Sequence, residues 1–387
     1  MERLQQTRRI LQDLIAFNTV SSQSNLQLIE YAADLLSDLG ARCHWVHDDS
    51  DRKANLFATL GPEGDGGIVL SGHSDVVPVA GQAWSTDPFV LHEAGGRLYG
   101  RGTCDMKGFI AATLAIAPEY AARELRRPVH FSFTYDEETG CLGAQQLIEV
   151  LRQQQLRPAV AIVGEPTEMR IIEGHKGCYK YTTTFTGLEG HGSLPDLAVN
   201  AVEYAVRYIS RLMALREEVK AMAPADSRFQ PPWTTLQIGR IAGGQTHNIV
   251  AGHCAVDWEM RPVQPGDASY IKQHIQTYCA DTLLPAMRAI APQADIATQV
   301  LAEVEGLQPV PDNEARQIVS ELTGQASTDV VAFGTEAGLF QQLGLSVVVC
   351  GPGSIQQAHK PDEYLSLEQL QACLDMLERL GDKLTEA

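Results

Sequence analysis

Three short clusters in this chain have the residue types a two-metal hydrolytic centre needs: His73-Ser74-Asp75, Gly102-Thr103-Cys104-Asp105-Met106-Lys107-Gly108 and Glu137-Glu138. An imidazole and an aspartate can serve as first ligands, and a second carboxylate can bridge two ions. An adjacent glutamate pair can divide into a ligand and a base. Glu165, in Gly164-Glu165-Pro166-Thr167, and a late histidine, His359, extend the set. Each has an ordinary alternative. His73 could be a hydrogen-bonded residue at a strand end, with Asp75 holding its tautomer. Asp105 could simply cap a following helix. Glu137-Glu138 could be a solvated acidic turn, and Glu165 a turn residue before proline. Together they point to a metal site, because each cluster follows an apolar run that reads as a strand. Ile68 to Gly72 leads into His73, Val129 to Thr134 into Glu137, and Ala159 to Val163 into Glu165. Ligands of open α/β sheets bind beyond the carboxyl ends of strands.

The elements that must hold these residues fall into two styles. Up to about residue 178, strands and helices alternate as in an α/β layer with a mostly parallel sheet. A helix from Gly108 to Ala117 would place Asp105 near its positive end. The pattern then changes to strand Lys180–Thr186, helix Asp196–Leu215, strands Trp233–Ile241 and Ile249–Pro262, helix Ala268–Met287 and strand Asp295–Glu303. This β-α-β-β-α-β order is the ferredoxin-like split unit, inserted into the first domain. The expected division is a catalytic domain over 1–178 and 305–387, with an inserted domain over 179–304. Ser346 to Cys350 reads as a late core strand.

With 387 residues the chain can build two domains, and a hydrophobic content of 44% with 20% charged residues is that of a globular protein. A formal net charge of −18 argues against a nucleic-acid partner, since phosphate repulsion would go unopposed. The eight cysteines are scattered without a C-x-x-C pair, which suits reduced thiols in a cytoplasm. The first 17 residues read as an amphipathic helix rather than a signal peptide. No run approaches the ~20 apolar residues of a membrane span. There is no G-x-S-x-G elbow, no H-E-x-x-H and no complete dinucleotide fingerprint.

These motifs resemble those of the dinuclear zinc deacylase and carboxypeptidase family, and the resemblance covers essentially the whole chain. It is carried by Ser71 to Pro78, Tyr99 to Gly108, Asp136-Glu137-Glu138, Gly164 to Thr167, Gly190-His191-Gly192-Ser193 and Ala358-His359-Lys360-Pro361. The resemblance implies a zinc-peptidase-like catalytic domain with an inserted dimerisation and lid domain. It implies that Asp105 bridges two metals, His73 and Glu165 complete one site, and Glu138 and His359 the other. Asp75 would orient His73, and Glu137 would be the general base. His191 would reach the site of a partner subunit in a homodimer, and Arg261 would clamp a substrate carboxylate. The implied cofactor is Zn²⁺, two per subunit, with Co²⁺ or Mn²⁺ as substitutes. The implied reaction is deacylation of an N-acyl amino acid. The Gly102–Phe109 and Gly164–Thr167 runs look most like those of members that deacetylate N2-acetylornithine for arginine biosynthesis. Acetylcitrulline and succinyl-diaminopimelate are the rival substrates, and a catalytically retired metal-binding assembly protein is the rival of another class. One departure stands out: relatives often have Gly-His-Ser-Ser where this chain has Gly190-His191-Gly192-Ser193.

Overall fold

The structure is a computed structural model describing residues 2–386. The chain forms two compact units. The first runs up to Gly174 and resumes over Leu307–Val330 and from Thr335 onward; the second comprises His175–Gly306 with Val331–Gly334. Among the described residues no helix is long and apolar enough to cross a membrane.

The first unit is built on an eight-stranded sheet. At its centre the strands Val129–Thr134, Ile68–His73, Val160–Pro166 and Ser346–Gly351 lie side by side, all parallel. Every residue of the first three is buried, as expected of parallel strands covered on both faces by helices. The flanks depart from the expected mostly parallel pattern. Arg42–His47, Ala54–Leu60 and Val129–Thr134 pair antiparallel in succession, and Ile171–His175 joins Ser346–Gly351 antiparallel. The sheet is therefore mixed. The short turns around Asp48–Lys53 can only return the chain antiparallel, because a parallel connection needs a crossover of a dozen or more residues.

Helix Lys107–Ala121 is longer than expected and buried along most of its length. It lies against the central strands so closely that a Cβ on Gly164 would run into the Phe109 ring. That position, one residue before Glu165, is therefore closed to any larger residue. Lys107 is fully buried, and its ammonium donates to the carbonyls of Leu14 and Phe17 at 2.9 and 2.8 Å. It thereby ties the end of the first helix, Glu2–Ala16, to the loop that carries Asp105. A small three-stranded sheet, Tyr364–Ser366, Arg97–Tyr99 and His92–Ala94, brings the segment around His359 beside the same loop.

The second unit has a four-stranded antiparallel sheet in the order Thr235–Gly243, His253–Arg261, Cys178–Thr186, Asp295–Val304. In Cys178–Thr186 and His253–Arg261 alternate residues are buried, the pattern of a sheet with helices on one face only. Helix Ala201–Ala221 begins later than the sequence suggests, because the Asn200 side chain accepts the Val202 and Glu203 N–H groups (3.1 and 3.4 Å) and caps it there. The second helix, Pro265–Tyr278, continues through a π turn, Cys279–Leu283, into Leu284–Arg288.

Candidate metal centre

Three parallel strands deliver their carboxyl ends to one edge of the central sheet. His73 is the last residue of its strand and sits opposite Thr134 of the neighbour. The chain leaving Thr134 turns at Asp136, with φ of 54°, and presents Glu137 and Glu138. Glu165 lies near the end of the third strand. Asp105 comes from the loop before helix Lys107–Ala121, across a cis peptide to Met106. His359 comes from the loop after Ser346–Gly351, with a left-handed φ of 63°.

The first unit brings all seven of its expected site residues together. Asp105 stands between two imidazoles, its Oδ1 2.9 Å from His73 Nε2 and its Oδ2 3.3 Å from His359 Nε2. His73 Nε2 also lies 3.7 Å from Glu165 Oε1, and His359 Nε2 lies 3.1 Å from Glu138 Oε1. Two triads, His73–Asp105–Glu138 and His73–Glu137–Glu165, each offer ligand atoms within 4.8 Å of one another. Asp75 does two things. His73 Nδ1 is 2.9 Å from its carbonyl oxygen and 3.5 Å from its carboxylate. That carboxylate accepts the Ser21 hydroxyl (2.6 Å) and the backbone N–H groups of Glu137 and Glu138 (3.0 and 3.4 Å).

The other two expected site residues lie in the second unit. His191 is exposed on a two-residue strand paired with Ile249–Val250, its Nδ1 2.7 Å from Ser193 Oγ. Arg261 ends the strand His253–Arg261, with its guanidinium on Glu259 at 3.2 Å.

A supporting layer went unseen in the sequence. Glu363 is buried, and its Oε1 accepts the N–H groups of Gly102, Cys104 and Asp105 at 3.1, 2.9 and 3.0 Å. Its Oε2 accepts from buried Arg101 at 2.6 Å. Glu336 is fully buried behind the central strands and takes the hydroxyls of Ser71 and Thr134 at 2.6 and 2.7 Å. Lys53 bonds both carboxylate oxygens of Asp136 at 2.6 Å, fixing the turn before Glu137. Only Glu363 carried a hint, since it closes the run that begins at His359.

The electrostatics of the centre are those of an anionic cluster short of positive charge. Burial, reinforced by Asp105, pushes Glu165 well above the usual carboxylate range. Burial likewise raises Glu138 and takes Glu137 up to about 8. Burial opposes charge on His73, yet its hydrogen bonds to Asp105 and Asp75 hold it well above its ordinary value. Hydrogen bonds to Asp105 and Glu138 lift His359 to about 10. Carboxylates gathered out of water at this density are costly unless protons or cations neutralise them. The donor set is oxygen and imidazole nitrogen; the nearby Cys104 thiol points at the Ser354 carbonyl, 3.3 Å away. These residues fit a pair of divalent ions.

The model of peptidase family M20/M25/M40 matches residues 69–383. The chain is 36% identical over 375 residues to the acetylornithine deacetylase of Pasteurella multocida, covering 95% of each. It is 36% identical over 382 residues to the acetylornithine deacetylase of Myxococcus xanthus, covering 96% of each. Among solved structures, an M20 family metallo-carboxypeptidase from Sulfolobus solfataricus superposes with a TM-score of 0.76 at 16% identity, over 98% of this chain and 99% of that one. A tripeptidase from Staphylococcus aureus does so with 0.73 at 18% identity, over 99% and 98%.

Proposed function

Because the chain belongs to the M20/M25/M40 peptidase family, we propose that it is a metal-dependent amidohydrolase removing the acetyl group from N2-acetyl-L-ornithine, releasing L-ornithine and acetate. The observation that carries the hydrolytic reading is Asp105, whose two oxygens each face a different imidazole. The near full-length similarity to acetylornithine deacetylases supports the substrate.

In this reading Asp105 would be shared by two ions, with His73 and Glu165 able to hold one and Glu138 and His359 the other. Zn²⁺ suits the mixed carboxylate and imidazole set, and Co²⁺ or Mn²⁺ can replace it. When bound, such ions polarise an amide carbonyl and bring the pKa of a water toward neutrality. Glu137 accepts the proton of the attacking water and returns it to the departing amine nitrogen. Burial and the carboxylates around it strengthen it as a proton acceptor. The Asp75 carboxylate, gripping the Glu137 and Glu138 N–H groups, holds the base and a ligand in register. His73 keeps Nε2 directed at Asp105 because Nδ1 is engaged by Asp75. We assign His191 to oxyanion stabilisation across a homodimer, and Arg261 to the substrate α-carboxylate.

The test is a panel of N-acyl amino acids, varied first in acyl group and then in side chain, with zinc supplied. N2-acetyl-L-ornithine should give the highest kcat/KM. A clear preference for acetylcitrulline or succinyl-diaminopimelate would overturn the substrate and keep the chemistry. No turnover of any amide by metal-replete protein would overturn both.

A further inference from the structure

The second unit contains a cavity of about 700 Å³, lined wholly by its own residues. That is the size of a small-molecule site. It exists because both of its walls are irregular. On one side, helix Pro265–Tyr278 loosens into the π turn Cys279–Leu283, and Cys279, Ala280 and Leu284 line the cavity. Single π turns within helices are rare and frequent at functional sites. On the other side, the edge strand Asp295–Val304 has a bulge between Val300 and Ala302, another feature common beside binding sites. Thr298 and Val300 pair with buried Thr183 and Tyr181 and so share their face, yet both are exposed, Val300 by 55%. The helices leave this part of the sheet uncovered.

The cavity has an apolar end and a charged end. Tyr181 stacks on Trp258 with centroids 4.4 Å apart, and Tyr208 meets Trp258 edge-on. The Trp258 indole N–H is satisfied by Thr183 Oγ1 at 3.0 Å, so this wall offers no open donor; the rings themselves are buried, and Val300 and Ile296 carry the accessible apolar surface beside them. At the other end Lys272 Nζ reaches both oxygens of Glu303 at 3.0 Å, and the Tyr181 hydroxyl donates to Glu303 at 2.6 Å. Both members of the ion pair are a third exposed (33% each), so the pair is weak and open to exchange with a ligand.

We propose that this cavity binds a free α-amino acid with an apolar side chain. A carboxylate alone would satisfy Lys272 but face Glu303, and an amine alone would do the reverse. Opposite charges one carbon apart match a lysine and a glutamate 3.0 Å apart. The α-carboxylate goes to Lys272, the α-ammonium to Glu303, and the side chain against the accessible apolar surface of Ile296 and Val300. One Lys and one Glu sum to zero, as does a zwitterion. This assignment is independent of the reaction proposed for the metal centre.

The experiment is calorimetric titration of the metal-loaded protein with L-phenylalanine, L-leucine and L-tryptophan. The controls are 3-phenylpropionate and phenethylamine, each of which lacks one charge. At least one amino acid should saturate a single site per chain. It should bind about tenfold or more tighter than either single-charge analogue, the worth of one charge-assisted hydrogen bond. Thr298→Trp, which fills the cavity from an exposed position, should abolish that binding while metal content stays unchanged. Lys272→Met should weaken it about tenfold or more. No saturable binding up to about 10 mM, equal affinity for the single-charge analogues, or binding unaltered in both variants would each overturn the assignment.

Discussion

The Glu363 carboxylate accepts the backbone N–H of Asp105 at 3.0 Å, joining two segments 258 residues apart in sequence. The same oxygen holds the N–H groups of Gly102 and Cys104, so the loop presenting the Asp105 carboxylate is moulded around one buried anion. Four residues before Glu363 stands His359, the imidazole on the other side of Asp105. Glu363→Gln keeps the shape but loses the charge and leaves Arg101 without its ionic partner. Metal affinity, read by competition with a chromophoric chelator, should fall about 10–100-fold, as for other residues that orient ligands. Unchanged affinity would mean that the loop holds its form without Glu363.

Glu137 and Glu138 are adjacent, and both lie within ligand reach of the cluster. Glu137→Gln should retain both metals and lose ~10²–10⁴ in kcat, because an amide cannot accept the proton of water. Glu138→Gln should instead lose metal. Elemental analysis beside single-turnover rates separates the two, and the opposite outcome would reverse the roles.

His191 is tested by subunit exchange. His191→Ala and Glu137→Gln homodimers should each be nearly inactive. After equal mixing, about half of the dimers are heterodimers with one of two sites intact, so activity should return to about a quarter of wild type. No recovery despite demonstrated exchange would place His191 within its own site or outside the reaction.

His130 gives a pH signature remote from the metal ligands. Burial beneath the sheet, stacked on Phe57, pushes its imidazole from the usual 6.5 down to about 4. The unfolded chain therefore binds a proton between those values that the folded protein refuses. The stability from this residue is fully present above pH 6.5 and is lost as pH falls toward 4, by about 3 kcal/mol in all. In metal-stripped protein, denaturant titrations at pH 7, 5.5 and 4 should show a shallower decline for His130→Gln than for wild type. Parallel declines would mean that His130 does not control this slope.

The parts of the site legible in the sequence were those whose chemistry is local. His73, Glu137 and Glu165 each end an apolar run, so period and position place them at one sheet edge before any coordinate is known. The supporting residues were illegible for the opposite reason. Glu336 bonds Ser71 265 residues away, and Glu363 grips a loop 258 residues away; apart from the place of Glu363 in the run that begins at His359, nothing in their neighbourhoods announces burial. Lys107 sits inside the most chemical-looking motif, yet its partners are the carbonyls of Leu14 and Phe17. The antiparallel flanks of the main sheet were missed because alternation of strands and helices speaks for the central strands and leaves the edges undetermined. The π turn at Cys279 was invisible for a similar reason, since helical periodicity continues through it.

The proposed reaction requires two ions held by Asp105 and its four companions. This requirement is tested most directly by adding Zn²⁺ stepwise to metal-free protein while measuring turnover of N2-acetyl-L-ornithine and bound metal by elemental analysis. Turnover should be absent at the start and should rise to a plateau as binding approaches two ions per chain. Full turnover in protein shown to be free of metal would contradict it.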